Sequence, residues 1–231
     1  VENLAINDAG QWRINATGST STSIIVQGVT STVGAIIVAE GDPTPFPPLV
    51  YGSFDSLRLN DAGNLSENRF YSPTGPNDSG VHYNGSVIIR EGDLATATGF
   101  SANTPYIGFF ETYLNDNNEV AVLASVDDPA IASSVDRALV LISSPGGTPV
   151  QTVLAKEGDT MVPGRLLTDF QTSPANIALA NGHLIAIMDL DGGTGDDGIV
   201  MTWTPGGGWV EALREGQPST VAGRNWGTLS S

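Results

Sequence analysis

The sequence predicts an all-β protein of four repeats, each a four-stranded antiparallel meander, the layout of a small β-propeller. Three observations predict it. A turn signature recurs as Asn7-Asp8-Ala9-Gly10, Asn60-Asp61-Ala62-Gly63, Asn115-Asp116-Asn117-Asn118 and, in reduced form, Asn181-Gly182. A second recurs as Glu40-Gly41-Asp42, Glu91-Gly92-Asp93, Glu157-Gly158-Asp159 and Glu215-Gly216-Gln217, with successive copies 51 to 66 residues apart. Self-similarity at that spacing marks a propeller or a stacked array. Between the signatures lie short apolar segments of strand length, and no segment carries a 3.6-residue amphipathic period.

The first unit, residues 1–52, offers strands at Asn3–Asn7, Gln11–Thr17, Ser23–Val29 and Gly34–Glu40. The second, 53–108, offers Ser56–Asn60, Asn64–Tyr71, Gly80–Asn84 and Ser86–Glu91. The third, 109–172, offers Thr112–Asn115, Glu119–Val126, Arg137–Ser143 and Pro149–Glu157, and the fourth, 173–231, Asn176–Ala180, His183–Asp189, Gly198–Thr204 and Trp209–Glu215. Val120 to Ala124 and Leu184 to Met188 are nearly continuous in apolar character, as strands buried on both faces are. Asn-Asp-Ala-Gly supplies an Asx acceptor and a glycine that tolerates positive φ, which closes a hairpin. Glu-Gly-Asp places a glycine at the bend leaving each last strand. Crossovers rich in Pro and Gly follow at Pro43–Pro48, Leu94–Pro105, Thr160–Gly164 and Gln217–Gly223. An aromatic segment (Tyr51–Phe54, Tyr106–Phe110, Phe170, Trp226) then opens the next unit. Gly227-Thr228-Leu229 fills the slot of Gly52-Ser53-Phe54. That segment is expected to close a ring against the N-terminal strand or to continue into another copy, and the ring is the preferred reading.

Composition narrows the classes. A chain of 231 residues with 40% hydrophobic content can bury a sizeable core as a single repeat domain. Its 25 acids against 9 bases leave a charge of -16, which repels nucleic acid and anionic membranes. Without cysteine there is neither a disulfide nor a thiolate metal site. No apolar run reaches the length of a spanning helix, so no membrane insertion by this segment is expected. The opening Val1-Glu2-Asn3 is expected to belong to a processed product or to a portion of a longer precursor.

The run Asn7-Asp8-Ala9-Gly10-Gln11-Trp12-Arg13-Ile14, with Asn60-Asp61-Ala62-Gly63, resembles the tandem Asn-x-x-Gly-x-x-x-Phe repeats of a group of bacterial extracellular proteins, often with a C-terminal sorting anchor. An Arg/Lys-Glu-Gly-Asp…Pro-Gly element joins it, at Lys156-Glu157-Gly158-Asp159 through Pro163-Gly164. The resemblance spans essentially the whole chain. Asn118 departs from it in place of glycine, and phenylalanine is missing from the last motif position throughout. The resemblance implies export and a β-propeller-like fold, and implies no defined activity.

Candidate sites are few. Glu40, Glu91, Glu157 and Glu215 are related by pseudo-symmetry and would form either a carboxylate circle for a hard cation or, the favoured reading, pairs with Arg90, Lys156 or Arg214 or caps on backbone N–H groups. Asp189, Asp191, Asp196 and Asp197 lie on a Gly-rich loop and are the best metal candidate, for calcium. Their spacing departs from an EF-hand at Gly193 and lacks the twelfth-position Glu, so a solvated hairpin tip is the competing reading. Asp127-Asp128 and Asn115-Asp116 are weaker candidates. His82 and His183 stand in unrelated contexts, and neither a Gly-x-Ser-x-Gly elbow nor a His-Glu-x-x-His motif occurs. No enzymatic activity is expected. Trp12, Trp203, Trp209, Trp226, Tyr51, Tyr83 and Tyr106 would stack on sugars or, preferentially, fill wedges between blades. The expected role is an exported structural scaffold of the cell surface or matrix that associates with itself. A carbohydrate-binding propeller is the alternative, with glycans as partners, and a polysaccharide hydrolase a distant third.

Overall fold

The computed structural model describes residues 3–30, 32–130, 137–170, 176–193 and 195–229, and every regular element among them is a strand. β1 (Asn3–Ile6), β2 (Gln11–Thr17), β3 (Ser23–Val29) and β4 (Ala35–Ala39) pair in that order as the first sheet. β5 (Val50–Leu59), β6 (Leu65–Ser72), β7 (Ser79–Tyr83) and β8 (Ser86–Arg90) form the second. The third comprises β9 (Tyr106–Leu114), β10 (Val120–Val126), β11 (Arg137–Ser143) and β12 (Val150–Lys156). The fourth contains β13 (Thr160–Val162), β14 (Arg165–Phe170), β15 (Ile177–Ala180), β16 (His183–Leu190), β17 (Gly198–Thr204) and β18 (Gly208–Arg214). β14 and β15 pair with opposite ends of β16 and act as two halves of one inner strand. The result is the expected all-β, propeller-like set of four antiparallel meanders, with β13 added as a hairpin arm on the last.

The inner strands start earlier than the sequence suggests. β5 opens at Val50 and β9 at Tyr106, so boundaries drawn at 52/53 and 108/109 fall inside them. The boundary at 172/173 lies outside the described residues. β14, grouped above with the third unit, belongs to the fourth sheet. Bulges explain the short reading: register shifts between Tyr51 and Ser53 and between Asp55 and Arg58 break the alternation of β5.

The sheets pack face to face in chain order. Ile25 and Val38 of the first meet Phe54, Leu57 and Tyr71 of the second. Val81 and Ile89 of the second meet Tyr106, Val122 and Val140 of the third, whose other face sets Leu123 and Leu139 against Phe170, Met188 and Met201 of the fourth. Covered on both sides, β10 is buried almost throughout, which accounts for its continuous apolar run. β16 differs from the expectation: Leu184, Ala186 and Met188 are buried, but Ile185 is exposed, because the far side of the fourth sheet is uncovered.

Neither outer face is polar. Across the first sheet, Leu4, Ile14, Val26 and Ile36 stand opposite one another in turn, with Leu4 64% and Ile36 60% exposed. Across the fourth, Ala178, Ile185, Thr202 and Val210 do the same, with Val210 59% exposed. None of the three core clusters contains residues of both the first and the fourth sheet.

Candidate functional site

The first signature is a staple between sheets. Asn7 Oδ1 accepts the Gln11 N–H at 2.9 Å, closing its own turn, while Nδ2 donates to the Asn60 carbonyl of the next sheet at 2.9 Å. Asn60 repeats the arrangement with the Asn64 N–H and the Asn115 carbonyl, both at 2.9 Å. Beside them the Asp8 N–H donates to Asp61 Oδ1 at 3.1 Å, and the Asp61 N–H to Asp116 Oδ1 at 2.8 Å. Asn115 accepts the Glu119 N–H at 2.8 Å and turns its own amide to the Glu119 carboxylate. Asn118, at φ 60, keeps the left-handed conformation of Gly10 and Gly63 and adds an acceptor for the amides of Asn60 and Asn64 and for the Tyr83 hydroxyl. Asn181 and Gly182, both at positive φ, make a two-residue hairpin from β15 to β16.

The second signature hooks each of the first three sheets to an early strand of the next, and the fourth to the segment around Trp226. Gly41 N–H donates to the Tyr51 carbonyl at 2.8 Å and Tyr51 N–H to the Asp42 carbonyl at 2.9 Å. Gly92 and Asp93 repeat this with Tyr106, Gly158 and Asp159 with Leu167, and Gly216 and Gln217 with Trp226. The glutamates clamp the preceding strand: Glu40 accepts the Ser23 N–H, Glu91 the Ser79 hydroxyl and Glu157 the Arg137 N–H, while Glu215 accepts from the Leu229 N–H. They accept from backbone and hydroxyl groups and form no carboxylate circle among the described residues, while the cations named as their possible partners turn elsewhere, Lys156 to Asp128, Arg214 to Glu211 and Arg90 to the Asn77 carbonyl.

The acidic loop carries a cation of its own. Arg165 lies 3.5 Å from Asp191 Oδ1 and 3.2 Å from Asp196 Oδ2, and Asp191 also accepts the Leu166 N–H at 2.7 Å. The carbonyls of Asp189 and Asp197 accept from Thr168 and Leu190. Among the described residues no three acids or histidines come together as a metal site, so the convergence expected of Asp189, Asp191, Asp196 and Asp197 is not found. Asp128 is a buried anchor for Lys156 Nζ at 3.1 Å and for the N–H groups of Ser101 and Ala130.

His82 is locked in the second sheet: Nε2 meets the Tyr71 hydroxyl at 2.9 Å and Nδ1 the Gly85 carbonyl at 3.3 Å. Burial, reinforced by the Arg69 charge, drops its pKa to about 3, so it stays neutral. Tyr51, Tyr83 and Tyr106 are buried in the wedges, and all four tryptophans are partly buried, with Trp209 Nε1 donating to the Leu154 carbonyl at 2.7 Å.

The polar group that sequence reasoning missed lies between the first two sheets. Glu67 and Arg69 of β6 are buried and joined through Glu67 Oε1, and Arg69 stacks 4.7 Å from the Tyr51 ring centroid. Arg13 of β2 faces them from the first sheet. Burial pushes the Glu67 carboxyl up, against the pull of Arg69 and Arg13. Arg13 and Arg69 border a crevice of about 330 Å³ with Gln27, Ile37, Leu65 and Asn84. The available signal was the run Glu67-Asn68-Arg69 in the middle of a strand otherwise suited to a core.

Fold and stapled turns together define a propeller-like repeat protein whose recurring signatures hold sheet to sheet. The chain belongs to the family of unknown function DUF7453, which it matches over residues 1–219. A search among curated proteins returned no match.

Proposed function

We propose that this protein is an exported structural scaffold whose copies associate end to end, the outer face of the fourth sheet of one seated on the outer face of the first sheet of the next. The observation that carries this reading is the pair of uncovered ladders, Leu4-Ile14-Val26-Ile36, apolar throughout, and Ala178-Ile185-Thr202-Val210, apolar but for Thr202. Each internal junction sets the later face of one sheet against the earlier face of the next, and the two outer faces are one of each kind. A second copy therefore continues the packing already used three times. Contact between unlike faces is heterologous and grows filaments or closed rings of copies. Export rests on the resemblance to the extracellular repeat proteins.

Sedimentation velocity over a wide concentration range tests it. Wild-type protein should form oligomers, and Leu4→Glu or Val210→Glu should each abolish growth by burying a charge at the junction. Mixing the two variants should restore dimers, because each retains the face the other has lost. A wild-type chain that stays monomeric throughout would overturn the proposal.

A further inference from the structure

We propose that the crevice between the first and second sheets binds a small organic carboxylate, recognised by Arg13 and Arg69 and flanked by an apolar wall of Ile37 and Leu65. Its volume, about 330 Å³, is at the small end of ligand clefts. The charge arrangement is incomplete in the protein alone. Arg69 directs Nε and Nη2 to one oxygen of Glu67, and Glu67 Oε2 makes no hydrogen bond. Arg13 donates Nη1 to the Trp12 carbonyl at 3.0 Å, and its Nε is buried with no partner. In a chain of 25 acids and 9 bases, Arg13 has no carboxylate at ion-pair distance among the described residues.

Two guanidinium groups and one carboxylate leave one positive charge, on a half-buried Arg13 set against the buried Glu67–Arg69 pair. Such a charge is costly unless paired and hydrogen-bonded. One ligand carboxylate at the guanidinium of Arg13 balances it, in the planar geometry arginine prefers. Ile37 and Leu65 then cover the hydrocarbon part of the ligand, and Gln27 lies at the margin beside them. A single residual charge and an apolar wall favour a monocarboxylate over sulfate or phosphate.

The test is a titration of the ¹⁵N-labelled chain with sodium butyrate and sodium glucuronate, against butyramide and glucose as neutral counterparts. The Arg13 Nε–H resonance, identified by its loss in Arg13→Gln, should shift saturably with both carboxylates and with neither neutral compound. In calorimetry Arg13→Gln should weaken carboxylate binding by about tenfold or more, the worth of one charge-assisted bond. Arg13→Lys keeps the charge without the fork and should recover only part of the affinity, which keeps the test decisive should the Gln variant fold poorly. Tighter binding of glucuronate assigns an acidic sugar and tighter binding of butyrate an aliphatic acid; either upholds the site. Equal response to the neutral compounds, equal binding of sulfate, or unchanged binding by a folded Arg13 variant would each overturn it.

Discussion

Asn60 serves two sheets with one side chain. Its Oδ1 holds the Asn64 N–H and its Nδ2 is shared between the Asn115 carbonyl and Asn118 Oδ1, all at 2.9 Å and largely out of water. Asn60→Ala strands those partners, and unmade bonds at buried groups cost about 1 to 3 kcal/mol each. The variant should lose roughly 2 to 4 kcal/mol, read as a lower urea midpoint with an unchanged slope. Asp128 gives a prediction with a definite pH sign. Burial opposes its ionisation, but the Ser101 and Ala130 bonds and the Lys156 ammonium outweigh burial and hold the carboxyl at about 2 against an ordinary 3.8. A depressed folded pKa means that the unfolded chain takes up the proton first as pH falls. The contribution is complete above 3.8 and is lost as pH falls through that value towards 2. At neutral pH it amounts to about 2 kcal/mol. Urea denaturation should show Asp128→Asn less stable by about that amount at neutral pH, with the gap closing in acid. A gap independent of pH would show that shape, not charge, decides the site.

At the scale of the element, the Glu-Gly-Asp hook depends on glycine for two separable reasons. Gly41 sits at φ +88 with nothing within 4 Å of the position a Cβ would take. Gly41→Ala should therefore cost only the left-handed conformation, about 1 to 2 kcal/mol. Gly216, at φ +74, would place a Cβ 2.9 Å from the Gly195 carbonyl oxygen, which is backbone of the acidic loop and cannot swing away. Gly216→Ala should cost measurably more than Gly41→Ala in the same denaturation series. The hook, the turn and most strand cores are legible in one dimension because each rests on local chemistry: a glycine for positive φ, an Asx acceptor, an apolar run. The reach of Asn7 and Asn60 across to the next sheet is not, since residues 53 and 55 apart come together only after the sheets stack. The same reason hides the crevice. Arg13 reads as an ordinary polar position on β2 until β6 brings Glu67 and Arg69 opposite it. The acidic loop was legible as a cluster of charge, but its neutralising Arg165 lies on β14, where the alternation needed to recognise a strand is broken.

Across the whole molecule, stability should follow the number of covered faces. The third sheet packs on both sides and supplies buried residues to two clusters, whereas the first contributes only Ile25 and Val38 to one. Local opening follows low apolar burial, so the first sheet should open without unfolding the rest. Native-state hydrogen exchange should find the amides of β10 and β11 exchanging only through global unfolding. Those of β2 and β3 should exchange through a smaller opening, faster by at least about tenfold, a difference of roughly 1.4 kcal/mol. If copies dock on the Leu4-Ile14-Val26-Ile36 ladder, that protection gains a mass-action contribution and should rise with protein concentration. The amides of β10, which exchange only through global unfolding, should gain at least the same contribution, because unfolding destroys both docking faces. In the Leu4→Glu variant the concentration dependence should vanish in the first and third sheets alike, while β10 and β11 remain slower than β2 and β3. One common exchange free energy for all four sheets at every concentration would show instead that the staples of Asn7 and Asn60 bind the array into a single cooperative unit.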